Sequence, residues 1–297
     1  MKAHIRFSAP LSTIAIAVSV ALGLILGLFT HPAPSGGLSV QVDGNFAGPV
    51  NVHASGSITA KQEQTLIKGT GREIAQDGQV LVRISNFSYT NAGYMEILNA
   101  GVVKAGSATK SDLQQLYSLI VGGREGSRLM AVIPNQALSS AEIVVVDVLP
   151  TLIQGDVRPT SHLPGGISLS VDAESGIPTV AGDGQSISST QVAVAIPGSG
   201  EQISAKNAIY ANYLIADTAG KVRESTYQNP APAYIQVSEV FPGLAQALSE
   251  QRVGSRIIAT VPSAQARGDG DLVVVLDILA CGEKEKNDGG SAGHSVS

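Results

Sequence analysis

The side chains that could do chemistry are few and far apart. Cys281 is the single cysteine, so the chain can form no internal disulfide and no thiolate metal cage. A small apolar residue near a strand end describes it better than a nucleophile does. His53, His162 and His294 are scattered and show no metal-ligand spacing. Asp269 and Asp271 share one loop, but two carboxylates without further ligands make a poor calcium site. Gly69-Thr70-Gly71 lacks the strand–turn–helix setting of a phosphate loop and reads as a turn. Arg267-Gly268-Asp269 spells the Arg-Gly-Asp adhesion tripeptide on a predicted exposed loop, a tripeptide that chance often supplies. Asn86-Phe87-Ser88 is a glycosylation sequon, relevant only where the host modifies such sites. No metal and no cofactor is expected.

Composition narrows the field further. The 297 residues suffice for two ordinary domains, and 43% hydrophobic content argues against a disordered chain. Lys2 and Arg6 are the only charges in the first 35 residues, which leaves 17 basic against 24 acidic side chains in the remainder. A body with that balance and no basic stripe does not neutralise phosphates, so no nucleic-acid partner is expected. Aromatics make up 4% of the chain and tryptophan is absent, which restricts the pockets it can build.

The apolar run 13–29 (TIAIAVSVALGLILGLF) follows Lys2 and Arg6, the pattern of an export signal with its N-terminus inside. No Ala-x-Ala-like cleavage site follows it. The expectation is an uncleaved signal-anchor helix, residues 1–37 comprising a cytoplasmic start, the anchor and a Pro/Gly spacer. Everything beyond would then lie outside the cytoplasm, on a single-pass membrane protein, or be secreted if the signal is cleaved.

The elements that would position a site come in two copies. Residues 126–149 (GSRLMAVIPNQALSSAEIVVVDVL) and 254–279 (GSRIIATVPSAQARGDGDLVVVLDIL) share Gly-Ser-Arg, an Ala, a Pro and a closing apolar strand in the same order. Upstream, Pro49, Ile58, Ile67, Gly69, Gly71 and Ile74 match Pro178, Ile187, Ile196, Gly198, Gly200 and Ile203 at one constant offset. Within each unit the segments 79–84, 128–133, 143–149, 208–213, 256–261 and 272–279 are rich in β-branched and aliphatic residues and read as strands. Apolar residues at i, i+3 and i+4 spacing predict one short helix per unit, over 112–120 and 243–249. The fold class is therefore α+β, an antiparallel sheet with one helix on its face, twice. Residues 38–150 form the first domain and 178–281 the second. Residues 151–177 are a linker with one strand, 167–171, and 282–297 a polar, disordered tail.

The second unit resembles an FKBP-type peptidyl-prolyl isomerase domain. The resemblance rests on VFPGLAQALSEQRVGSRIIATVP (240–262), on the ending DLVVVLDIL (271–279), on Gly198-Ser199-Gly200 and on YANYLIADTAGKVRES (210–225), and it covers most of residues 190–280. The first unit resembles the family mainly through its copy of the second. Two such units behind an export signal are similar to tandem FKBP-like envelope proteins of actinobacteria.

That resemblance implies a peptide pocket between sheet and helix. An X–Pro bond rotates slowly over a barrier of about 20 kcal/mol. A dry apolar pocket with a donor or two to the carbonyl favours the twisted amide without nucleophile, metal or proton relay. It further implies that Tyr213 is the pocket tyrosine, that Val240 and Phe241 hold the ligand carbonyl, and that Leu244 replaces the floor tryptophan. Val222 replaces the pocket Phe, Arg223 the pocket Asp, Arg267 the loop Tyr, and Val274 a Phe of the last strand. Tyr213, Phe241 and Leu244 are the expected catalytic residues; Val222, Arg223, Val240, Arg267 and Val274 the expected substrate-binding ones. In the first unit Ile84 takes the Tyr213 position and Leu116 the floor. The expected function is an extracytoplasmic prolyl isomerase assisting exported proteins, weak and confined to the second domain. The alternatives are a non-catalytic peptide-binding or chaperone module and a structural surface protein.

Overall fold

The computed structural model describes residues 37–282 apart from 136, 138, 161, 162, 267 and 269. The proposed anchor at 13–29 and the tail from 283 lie outside the described residues. In chain order, β1 (Ser39–Asp43) and β2 (Asn51–Ser55) form an antiparallel hairpin. A sheet follows, built from β3 (Gln62–Ile67), β4 (Gln79–Thr90), β5 (Met95–Ser107), β6 (Arg128–Asn135) and β7 (Ser140–Leu149). A second hairpin, β8 (Ser168–Val171) with β9 (Pro178–Ala181), precedes a second sheet. That sheet holds β10 (Gln191–Ile196), β11 (Ala208–Ala216), β12 (Val222–Ser225), β13 (Ala233–Gln236), β14 (Arg256–Val261) and β15 (Leu272–Gly282).

The two sheets have one strand order. The first runs β3-β6-β7-β4-β5 and the second β10-β14-β15-β11-β12, with β13 also on β11, all antiparallel. The constant sequence offset is thus an offset between equivalent strands. Each first strand even slips register at the same place, between Thr65 and Ile67 and between Val194 and Ile196.

The matched residues explain themselves in this frame. The Gly69 N–H donates to Ser127 Oγ at 3.0 Å, and the Gly198 N–H to Ser255 Oγ at 2.9 Å. A Cβ on Gly69 would sit 2.2 Å from the Glu125 carbonyl oxygen, and one on Gly198 2.3 Å from that of Val253, so only glycine fits either position. Arg128 forms a two-pronged ion pair with Asp147 (2.6 and 2.7 Å), and Arg256 does so with Asp277 at the same lengths. All four side chains are buried.

Each sheet is covered on both faces, which is why its central strands read as near-continuous apolar runs rather than alternating ones. In the first unit Val144, Val146 and Val148 face Leu113, Leu116 and Ile120, whereas Ile143 and Val145 face Leu38 and Val52 of the β1–β2 side. In the second, Val274, Leu276 and Ile278 face Leu244, Ala247 and Leu248, whereas Val273 and Val275 face Leu152, Leu163 and Ile167. Residues 151–177, expected as a linker, supply this second cover, and the Ile153 N–H donates to Asp277 Oδ2 at 3.0 Å. A further apolar cluster joins the units, with Leu81, Val103, Ala105 and Leu149 against Ile196, Tyr210, Leu279 and Ala280.

The helix expected over 112–120 is broken into α1 (Lys110–Leu113), a 3-10 turn over Gln114–Leu116, and α2 (Tyr117–Ile120). Gln114 has φ +47°, which a continuous α-helix does not allow. Leu113, Leu116 and Ile120 nevertheless all reach the core, so the apolar spacing reports the face and not the continuity of the helix. In the second unit α3 (Pro242–Leu248) starts on Pro242, whose fixed φ and missing N–H suit the first turn.

Candidate functional site

Tyr213 lies on β11, facing α3. Its ring is 3% exposed and packs in one cluster with Phe241, Leu244 and Val274, which are exposed by 2%, 1% and 1%. Phe241 caps α3, its carbonyl accepting the N–H groups of Leu244 and Ala245 at 3.0 Å. Val240 borders the cluster, half-buried. Five of the expected site residues therefore come together between sheet and helix.

The partner of Tyr213 is one the sequence reasoning missed. Its phenol donates a short hydrogen bond to Glu224 Oε1. Register explains how Glu224 gets there. On β11, Leu214 pairs with Ser225 and Ile215 with Glu224, but Ala216 pairs with Val222. The slip leaves Arg223 as the extra residue of a bulge, which re-aims its neighbours. Val222 is 50% exposed and stands apart from the cluster. Arg223 is exposed, its Nη2 3.8 Å from where a Cβ on Gly270 would lie, so it spans to the loop after β14. The site carboxylate belongs to Glu224, one residue beyond the position read as exchanged for a cation. The signal that could have found it is the ungapped spacing from Tyr213 through Gly220 to Glu224.

Burial raises the pKa of the Tyr213 phenol, and the Glu224 carboxylate beside it raises it further. The phenol is thus a neutral donor throughout the physiological range. Thr226 fixes its backbone: Tyr213 N–H donates to Thr226 Oγ1, and Thr226 N–H to the Tyr213 carbonyl, both at 2.9 Å.

The turn Ser263–Gln265 after β14 leads Ala266 into the cluster, where it is buried. Asp271 pins the turn, accepting from Ser263 N–H at 2.8 Å and Ile187 N–H at 2.7 Å. Thr190 Oγ1 bonds Gln265 Oε1. Arg267 lies outside the described residues.

The first unit builds something different at the equivalent place. Ile84 and Leu116 are buried there, and Ile84 carries no hydroxyl. Where the second sheet has Ile215 and Leu272, the first has Asn86 and Glu142, joined by a 2.6 Å hydrogen bond from Nδ2 to Oε1. Burial raises the Glu142 pKa above 4.5, against a lowering by Asn86.

Among the described residues no three of His, Cys, Asp and Glu lie close enough to hold a metal ion. The Cys281 thiol is half-buried and pushed up to about 11, first by burial and then by Glu201. No described helix is long and apolar enough to cross a membrane.

No protein-family model and no curated protein matches the chain. Solved structures do. FkpA from Escherichia coli is 20% identical over 41% of this chain and 54% of its own length, with a TM-score of 0.30. A peptidyl-prolyl cis-trans isomerase from Pseudomonas syringae is 21% identical over 41% of this chain and 85% of its own, with a TM-score of 0.28. The three FKBP domains of wheat FKBP73 align over 75% of this chain and 95% of theirs at 9% identity, with a TM-score of 0.30. The chain spans about half the length of FkpA.

Proposed function

We propose that the second unit is an FKBP-type peptidyl-prolyl isomerase domain, that the first is a non-catalytic copy, and that the pair acts on proline-containing segments of exported proteins. The observation that supports this reading is the neutral Tyr213 phenol, held by Glu224, at an apolar wall of Phe241, Leu244 and Val274. That arrangement supplies a low-dielectric surface for a twisted amide, and its phenol becomes a donor for a carbonyl once the substrate carbonyl takes the place of Glu224 as acceptor. Substrate enters this scheme as a chain segment whose prolyl ring is brought against the wall of Phe241, Leu244 and Val274. No bond is made or broken, and no proton changes hands. The first unit lacks the donor, since Ile84 stands in its place.

The location belongs to the same proposal. The apolar run 13–29 would anchor the chain in the cell membrane, with both units on the extracytoplasmic side, where newly exported proteins fold.

A second reading has its own observation. The cluster residues are 1–3% exposed, so a prolyl ring gains entry only if the side chains packed against them, Ala266 included, give way. A site that stays shut would leave a non-catalytic binding module. A protease-coupled isomerisation assay on the intact chain separates the two. The isomerase reading expects acceleration that scales with protein concentration and is lost in Tyr213→Ala. A folded sample without acceleration leaves the binding module.

A further inference from the structure

The two units meet through hydrogen bonds that lead to Tyr213. Gln79 is the first residue of β4, in the first sheet, yet its side chain is spent entirely on the second unit. Its Nε2 donates to the carbonyls of Thr226 at 3.1 Å and Asn229 at 2.7 Å. Its Oε1 accepts from Asn212 Nδ2 at 2.8 Å. Asn212 also donates to the Thr151 carbonyl at 2.9 Å and accepts from Thr226 Oγ1 at 2.9 Å. Thr226 Oγ1 in turn receives the Tyr213 N–H. Asn212 and Thr226 are buried, so these bonds face little competition from water.

The consequence follows from connectivity. Thr226 opens the turn closed by the Asn229 N–H on the Thr226 carbonyl at 3.0 Å, and it comes two residues after Glu224. β12 has only four residues and pairs with β11 through a bulge. The turn after it therefore decides where Glu224 sits relative to Tyr213, and Gln79 holds that turn. The device is not part of the repeat, because Arg83 occupies in β4 the position that Asn212 has in β11.

We propose that Gln79 is a positioning residue by which the first unit sets the Tyr213–Glu224 pair of the second. The inference rests on the reading of that pair as the site of action. It gives the first unit, where Ile84 stands in the place of Tyr213, a task as the rigid support of its neighbour's site.

The test compares the intact chain with Gln79→Ala and with the isosteric Gln79→Glu, whose carboxylate repels the Thr226 and Asn229 carbonyls. The direct readouts are the NMR signal of the Tyr213 ring carbon that bears the hydroxyl, assigned with Tyr213→Phe, and amide exchange at Tyr213. The expected result in both variants is a displaced Tyr213 signal and exchange at Tyr213 faster by about tenfold or more, with exchange at Ile257 unchanged. X–Pro isomerisation should fall through kcat with KM nearly unchanged. A Tyr213 signal and exchange rate identical to wild type in a folded variant overturn the proposal. If Gln79→Ala fails to fold, Gln79→Glu decides alone. Wild-type protein without isomerase activity would remove the functional reading, while the NMR comparison would still decide the coupling.

Discussion

Asp277→Asn removes one negative charge from the least exposed site in the second unit. Asp277 takes Arg256 at 2.6 and 2.7 Å and the Ile153 N–H at 3.0 Å, with both charged side chains at 1% exposure or less. The neutral amide keeps the shape but can serve only one of these donors well, and the guanidinium stays behind, buried and uncompensated. Breaking such a pair costs about 3–5 kcal/mol. A stability of about 5–15 kcal/mol leaves little room for that. In urea, with a slope of about 2 kcal/mol per molar, the midpoint should fall by about 2 M. Asp147→Asn in the first unit should sit at the lower end of the range. There Arg128 also donates to the carbonyls of Gly44 at 2.7 Å and Asn45 at 2.8 Å, which partly compensate a lone cation. Arg256→Met combined with Asp277→Leu should recover most of the loss, since apolar replacement of a buried pair is close to neutral. A shift below about 0.5 M for Asp277→Asn, or a double variant as unstable as the single one, would refute this reasoning.

Three further expectations follow from the same physics. Glu142 has its pKa raised by burial, so the native state holds that proton more tightly than the unfolded chain does. Its contribution is full below about 4.5 and is lost as the pH rises through the folded value. Glu142→Gln should therefore raise the melting temperature at pH 7 and leave it unchanged at pH 4, as calorimetry at the two pH values will show. Gly69→Ala and Gly198→Ala each push a Cβ to within 2.3 Å of a backbone oxygen, and each should cost about 2 kcal/mol or more in a denaturant titration. The Cys281 thiol, with a pKa of about 11, should react with a disulfide reagent at pH 8 more slowly than a free thiol, and unfolding should abolish the difference.

Much of the fold was legible because the repeat is a repeat of constraints. Gly69 and Gly198, Ser127 and Ser255, Arg128 and Arg256 recur because each copy makes the same close approach or the same buried bond. Strand β14 was readable to its ends, being apolar and flanked by turn residues. What stayed hidden has physical reasons. The hairpins β1–β2 and β8–β9 are half-exposed and short, so their patterns are weak, yet they cover the far face of each sheet. Strand β5 carries glycines and small residues that read as loop. The break at Gln114 left the spacing of Leu113, Leu116 and Ile120 intact and so left no trace. Within the candidate site, the apolar group of Tyr213, Phe241, Leu244 and Val274 came from the resemblance of residues 190–280 to the FKBP-type family. Glu224 was passed over because the site position was read one residue early, at Arg223, which the bulge turns aside while Glu224 keeps its regular place opposite Ile215.

The most direct test of the account is magnetisation-exchange NMR on a proline-containing peptide, which reads cis–trans interconversion with no coupled protease. It needs the intact protein, Tyr213→Phe, and Leu116→Met in the first unit as the comparison. The account predicts exchange cross-peaks with the intact protein, cross-peaks reduced by about tenfold or more in Tyr213→Phe, as expected for loss of one positioned donor, and cross-peaks at the wild-type level in Leu116→Met. Exchange unaffected by Tyr213→Phe, or absent from folded wild-type protein, would contradict it.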